Sequence, residues 1–190
     1  MAKDALHEFL QANFSPPKPP PVQIHIKWKP PPSNWIKTNF DGAVFKERAE
    51  TGLGSIIRND RGLVMATLTQ IIPLPTFVEM VEVLAARRAL IFAKELGFEK
   101  VILEGDSEIA IRAMKSDAYS ATPFGHIVSD IKALSSHFRC LIFQHTCRQR
   151  NLVAHSLARA ACNFPPFYTW MEEVPISSHA MYLAESINIT

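Results

Sequence analysis

Three carboxylates in this chain stand where folding alone gives them little to do. Asp41 lies near the end of an alternating run, residues 35–44, that reads as a strand. Ile36, Thr38 and Phe40 fall on one face, and Lys37, Asn39 and Asp41 on the other. A carboxylate therefore projects from an element that otherwise serves the core. Asp41-Gly42 also fits a hairpin turn, because Asp-Gly between apolar runs is a strong turn signal. Glu82 sits in a helical pattern beside the apolar stripe of Val81, Leu84, Ala85, Ala89 and Phe92. The residues three and four positions on are Ala85 and Ala86, so no helical ion pair accounts for it, and its ordinary role would be a solvated charge. Asp106 follows the apolar strand Val101-Ile102-Leu103, with Glu104 two residues earlier on the same face. It also precedes a helix, where aspartate is a common N-cap. Carboxylates at such separate element ends could meet Asp41 in space.

The elements that would position them follow from period and turn chemistry. Residues 52–58 and 63–71 read as two further strands, parted by the turn-rich Asn59-Asp60-Arg61-Gly62, so the first three strands are antiparallel. Pro73 and Pro75 stop the sheet. Thr76-Phe77-Val78-Glu79 fits a capping box and predicts a helix from there to Leu96, ended by Gly97. That gives Glu79 a local task and leaves Glu82 without one. Residues 100–106 predict a buried strand, 108–115 and about 123–137 two helices, and 139–145 a strand. The last helix carries Val153, Leu157, Ala160 and Ala161 on its apolar side, with Asn151, His155 and Arg159 on the other. Residues 164–190 show no strong period. This alternation predicts an α/β chain, a mixed sheet with helices on its faces.

At 190 residues, 47% hydrophobic and 20% charged, the chain suits one core rather than two. Residues 1–27 read as an N-terminal segment and proline-rich linker, 28–163 as the domain, and 164–190 as a C-terminal tail. Within the first, residues 2–14 suggest a short helix, and Pro16, Pro17, Pro19, Pro20 and Pro21 favour an extended polyproline arm. The arm is a spacer, or a docking site for a protein partner that reads proline. A formal charge of +2 permits a nucleic-acid partner without demanding one. Cys140, Cys147 and Cys162 are odd in number and lack a C-x-x-C pair, which suits reduced thiols in an intracellular protein. Cys140, His145 and Cys147 are conceivable zinc ligands but lack a clear fourth partner. With no signal peptide and no apolar run of membrane-spanning length, the expectation is a soluble protein.

The motifs in order carry a resemblance. Trp28-Lys29-Pro30 is followed by Asn39-Phe40-Asp41-Gly42-Ala43, then by Gly52-Leu53-Gly54 with Ile57-Arg58-Asn59-Asp60 and Gly62. Next come Glu82-Val83-Leu84-Ala85 with Ala89-Leu90, Glu104-Gly105-Asp106-Ser107, and Arg150-Asn151-Leu152-Val153-Ala154-His155-Ser156-Leu157-Ala158. Over about residues 28–162 the chain resembles the type 1 ribonuclease H family, in particular the ribonuclease H-like domains of plant proteins related to retroelement reverse transcriptases.

The resemblance implies a ribonuclease H-like fold with a five-stranded mixed sheet. It also implies four carboxylates holding two divalent metals, Mg2+ or alternatively Mn2+, about 3.5–4 Å apart for in-line phosphodiester displacement. Asp41, Glu82 and Asp106 match three of these positions. The fourth differs: in the family's Asn-x-x-Ala-Asp-x-Leu-Ala pattern this chain has His155 for the aspartate, a form that looks like a feature of the plant branch. A neutral imidazole adds no negative charge, so Glu104 is the expected donor of the missing one. The ten residues from His145 to His155 match the spacing of the family's mobile catalytic histidine, which makes His145 a candidate for assisting product departure.

The implied substrate is an RNA/DNA hybrid, whose 2′-hydroxyls distinguish it from duplex DNA. Asn39, Arg58, Asn59, Arg148, Arg150 and Asn151 are the candidate nucleic-acid contacts. The short connection at residues 116–122 leaves no room for a basic protrusion, so intrinsic affinity is expected to be weak. Two readings result: a metal-dependent endonuclease cleaving the RNA strand of the hybrid, and a domain of the same fold that binds nucleic acid or protein with little or no cleavage.

Overall fold

The alternation at residues 35–44 becomes strand β1, Ile36–Phe45, in the computed structural model, which describes residues 27–116 and 123–186. The strand runs straight through Asp41-Gly42, so that pair is not a hairpin turn. The reversal comes later, in a single tight turn at Lys46–Arg48 closed by Ala49 at φ 50°. Strand β2, Glu50–Arg58, pairs back along β1 with Gly54 opposite Asp41, and β3, Val64–Pro73, continues the antiparallel run. Between β2 and β3 the Asn59 side-chain oxygen accepts from the backbone N–H groups of Arg61 and Leu63, each at 3.0 Å. Gly62 supplies the positive φ of 75° that this turn needs.

Helix α1, Met80–Glu95, begins later than the capping box predicts. Backbone bonds from Met80 N–H to Phe77 O and from Val81 N–H to Val78 O already satisfy its first donors, and the Glu79 side chain makes no cap. Its far end matches expectation. Gly97 at φ 76° donates to Lys94 O, and Phe98 donates to Ala93 O, the paired bonds of a Schellman stop. Then follow β4 (Lys100–Gly105), α2 (Glu108–Lys115), α3 (Gly125–Ser135), β5 (Cys140–His145) and α4 (Leu152–Ala160). Strand β6 (Phe167–Met171) and helix α5 (Ile176–Ser186) complete the described chain.

The sheet has six strands in the order β5-β4-β1-β2-β3-β6, with β4 parallel to both β1 and β5 and the other pairs antiparallel. The expected five-stranded sheet is thus corrected. The sixth strand comes from the aromatic stretch after Pro166, which pairs with β3 from Ala66↔Met171 to Gln70↔Phe167. The predicted N-terminal helix, the proline arm and most of the 116–122 connection lie outside the described residues.

One face of the sheet packs Phe40, Leu53, Ile57 and Leu103 against α1, α2 and α3. The other packs Ile56 and Val64 against Val153, Ala154 and Leu157 of α4. On this second face the helix comes unusually near. A Cβ built on Gly54 would lie 2.3 Å from Ala158 N and 2.4 Å from Ala154 O, and one on Gly52 would lie 2.2 Å from Ala158 O. The Gly52-Leu53-Gly54 motif therefore sets the depth of α4. Gly54→Ala is expected to lower stability by about 1–3 kcal/mol through overpacking against helix backbone that cannot yield locally, which urea denaturation measures.

Candidate active site

The strand register brings two acids together. Because β1 and β4 are parallel with Asn39 opposite Glu104, two residues further along each chain Asp41 comes beside Asp106 at the end of β4. Glu82 arrives from the first turn of α1, which crosses directly over Gly42. A Cβ there would sit 2.3 Å from Val81 Cγ1, so the glycine admits the helix. One carboxylate oxygen from each of Asp41, Glu82 and Asp106 lies within 4.8 Å of the others. Asp106 is not used as the α2 cap, because Ser107 Oγ accepts from Ala110 N–H instead.

Burial and mutual repulsion dominate the electrostatics here. Burial, then the charges of Asp41 and Asp106, hold the Glu82 carboxyl well above the usual carboxylate range. Asp41 is also raised, by burial and by Asp106, against the opposing hydrogen bond from His155. Glu82 Oε2 is a buried oxygen with no hydrogen-bond partner. An all-oxygen donor set that repels itself and carries an orphaned lone pair fits a hard divalent cation. Among the described residues this is the one cluster of ligand-type side chains. Cys140, His145 and Cys147 do not join into a zinc site, and all three cysteines are free.

His155 reaches the cluster from α4 as a hydrogen-bond donor. Its Nδ1 lies 2.6 Å from Asp41 Oδ2, and Arg148 Nη2 lies 3.1 Å from its Nε2. Arginine only donates, so Nε2 accepts and Nδ1 carries the proton given to Asp41. Both imidazole nitrogens are thus occupied. His145 is exposed, with Nε2 3.2 Å from the backbone oxygen of Asp106, beside the cluster rather than in it.

Other sequence-based assignments need correction. Glu104 does not supply a fourth carboxylate, because its side chain is buried, ion-paired to Lys37 at 3.0 Å, and accepts from Asn39 at 2.9 Å. Asn39, Arg58 and Asn151 are buried in the same polar network and cannot meet a substrate. Asn39 Oδ1 accepts from Trp28 Nε1 at 2.9 Å and Arg58 Nη2 at 3.0 Å, and Arg58 stacks 3.7 Å over the Trp28 ring. Asn151 donates to Phe40 O at 2.9 Å and to Asp106 Oδ1 at 3.5 Å, holding β1, β4 and the start of α4 in register. Asn59 is absorbed in the β2–β3 turn, five residues along β2 from Asp41's partner Gly54 and so about 17 Å away. Of the six proposed contacts, exposed Arg148 stands at the site, on the His155 ring, whereas half-buried Arg150 lies near Lys37 of the polar network. Sequence reasoning missed Lys37 and Glu185. The first is visible only as a lysine on an inward strand face, and the second gives no sequence signal.

Comparison with known proteins places these features in a family context. A family model described as reverse transcriptase-like matches residues 39–161. None of the curated proteins compared matches the chain. RNase H1 from the halophilic archaeon Halobacterium salinarum is similar in structure, at TM-score 0.63 and 22% identity over 68% of this chain and 98% of that one. So is the N-terminal RNase H domain of a Mycobacterium tuberculosis protein, at TM-score 0.61 and 22% identity over 68% and 94%. LC11-RNase H1, isolated from compost and solved with an RNA/DNA hybrid, gives TM-score 0.60 and 23% identity over 67% and 96%.

The acid cluster makes a pH prediction for the metal-free protein. A folded-state pKa raised above the unfolded value contributes stability that is complete below the ordinary glutamate value of 4.5 and is lost as pH rises through the folded-state value. Thermal melts in chelator are therefore expected to show a falling midpoint from acid toward neutral pH. Glu82→Gln should flatten that slope and raise the midpoint at neutral pH; an unchanged slope would exclude Glu82 as its source.

Proposed function

The chain belongs to the reverse transcriptase-like family, and on that premise we propose that it is a divalent-metal-dependent endonuclease cleaving the RNA strand of RNA/DNA hybrids. One observation carries the reading: three carboxylates from β1, α1 and the end of β4 converge within 4.8 Å, and a buried Glu82 oxygen among them has no partner. Chemistry explains such an arrangement, whereas stability would select against it. Asp41, Glu82 and Asp106 would hold the cation, Mg2+ or Mn2+. When bound, it would polarise the phosphodiester and lower the pKa of an attacking water.

The chain's own groups do the remaining work. The His155 Nδ1–H bond withdraws one lone pair of Asp41 Oδ2 from the ligand set and fixes that carboxylate's orientation. Arg148 sets the imidazole tautomer and, being exposed, offers positive charge to phosphates beside the site. His145, exposed and bonded to the Asp106 backbone oxygen, would exchange a proton with a departing group.

A second reading is favoured by the same His155 bond. With three acids rather than four and one Asp41 oxygen already engaged, cation binding is weakened, which suits a domain that binds hybrid and cuts slowly or not at all. A proline-reading protein partner for the N-terminal arm belongs with this reading.

Cleavage of a labelled RNA/DNA hybrid in Mg2+ and in Mn2+ tests both. The wild type is expected to cut the RNA strand, Asp41→Asn to lower the rate at least about 100-fold, and His155→Asp to raise activity in Mg2+. A silent wild type beside an active His155→Asp would favour the binding domain. Silence in both would remove the nuclease reading.

A further inference from the structure

Glu185 is a carboxylate far from the acid cluster in sequence, delivered to the interior by a segment beyond the family match, which ends at residue 161. Strand β6 adds to the sheet beside β3, and α5 returns across α4 with only Ser178 and Glu185 buried along its length. The Glu185 side chain is fully enclosed and divides its two oxygens between two jobs. Oε2 pairs with Arg58 Nη1 at 2.6 Å, and Oε1 accepts from the Val153 N–H at 3.1 Å. Val153 is the second residue of α4, and the residue before that helix, Asn151, makes no side-chain cap of its own. Glu185 thus caps α4 from another helix, placing a negative charge where the helix dipole favours one.

Both contacts lead to the site. Through the cap, Glu185 holds the first turn of α4, which includes the bond from His155 N–H to Asn151 O at 3.0 Å. His155 touches Asp41, and Asn151 touches Asp106. Through Arg58 it holds Asn39, whose Nδ2 lies 3.3 Å from Asn151 Oδ1. Two separate paths therefore end on the Asn151 and His155 side chains, at and just inside the start of α4, that touch the acids.

We propose that Glu185 is a positioning residue of the acid site, and that β6 and α5 form an extension whose task is to deliver it. Stability is a poor explanation for the pair. Burial pushes the Glu185 carboxyl up and the Arg58 guanidinium down despite their contact, so desolvation outweighs mutual attraction on both sides. What the pair supplies is direction: a fixed start for α4. The functional meaning of this inference rests on the reading of Asp41, Glu82 and Asp106 as the metal site, but its structural content does not.

The test compares the full chain as wild type, Glu185→Ala and the double variant Arg58→Met/Glu185→Leu. The double variant leaves no buried charge unpaired, so it keeps the comparison valid if Glu185→Ala does not fold. Near-UV circular dichroism and slow amide exchange at Thr38 and Leu103 establish the folded state. Nitrogen NMR of the His155 ring, exchange at the Val153 amide and calorimetric Mn2+ binding are then read. Wild type is expected to show the Nδ1–H tautomer of His155. In the folded variants Val153 exchange should rise at least about tenfold, the single tautomer should be lost, and Mn2+ affinity should shift by roughly tenfold. A folded double variant that keeps the wild-type tautomer and Mn2+ affinity would overturn the proposal and leave Glu185 a packing residue. Absence of Mn2+ binding in wild type would defeat the nuclease reading instead, with the tautomer and exchange data still deciding the role of Glu185.

Discussion

Helix α4 rests on β2 backbone to backbone, because positions 52 and 54 carry no side chain to hold it off. The second face of the sheet follows from that approach. Only at this depth can Asn151 reach Phe40 O and the Asp106 carboxylate, and His155 reach Asp41. The same device operates on the other side of β1, where Gly42 admits α1 and so brings Glu82 over the strand. Gly105, whose missing side chain makes room for the Phe40 ring, lets β1 and β4 pack beneath both acids. The site is thus built by leaving side chains out at several backbone positions and placing charged ones on the elements that close in.

Charge sorts the buried carboxylates into two kinds. Glu104 and Glu185 each have a cation within 3.0 Å, from Lys37 and Arg58, and belong to the scaffold. Asp41, Glu82 and Asp106 have one another and no cation, only neutral donors in the His155 ring, the Asn151 amide and the Gly42 N–H, and their mutual repulsion is stored in the fold. Pairing is the ordinary condition for a charge out of water, so the unpaired group is the informative one. His155 reduces that repulsion through a hydrogen bond without adding a fourth negative charge, which shifts the balance between holding the fold together and holding a cation.

Much of this was legible in sequence because local rules and the global fold agree. Alternation placed β1 and set Asp41 on the face opposite Phe40, and Gly97 marked the end of α1. The Glu82 pattern, lacking any local partner, pointed to a role beyond the helix. Failures arose where the determining contact is distant. Asn39 and Arg58 read as polar groups at strand positions, and nothing nearby reveals that Trp28, Glu104 and Glu185 enclose them. Glu104 was given to the metal because face alternation is local, whereas its partner Lys37 sits on a neighbouring strand. Strand β6 is an aromatic run between prolines, a usable but short signal. Helix α5 hides better, since the residues it buries are a serine and a glutamate and leave no apolar stripe.

The Arg58–Glu185 contact spans 127 positions, and that separation matters while the chain is being made. At ordinary translation speeds Arg58 waits about 6–25 s for its counterion to be synthesised. During that interval the sheet and α4 can collapse, but the guanidinium they would enclose has no carboxylate, and an uncompensated cation resists burial. The nascent chain is thereby kept from sealing its second face early. Burial of Arg58 with its counterion is thus a late event in synthesis, which waits on residue 185.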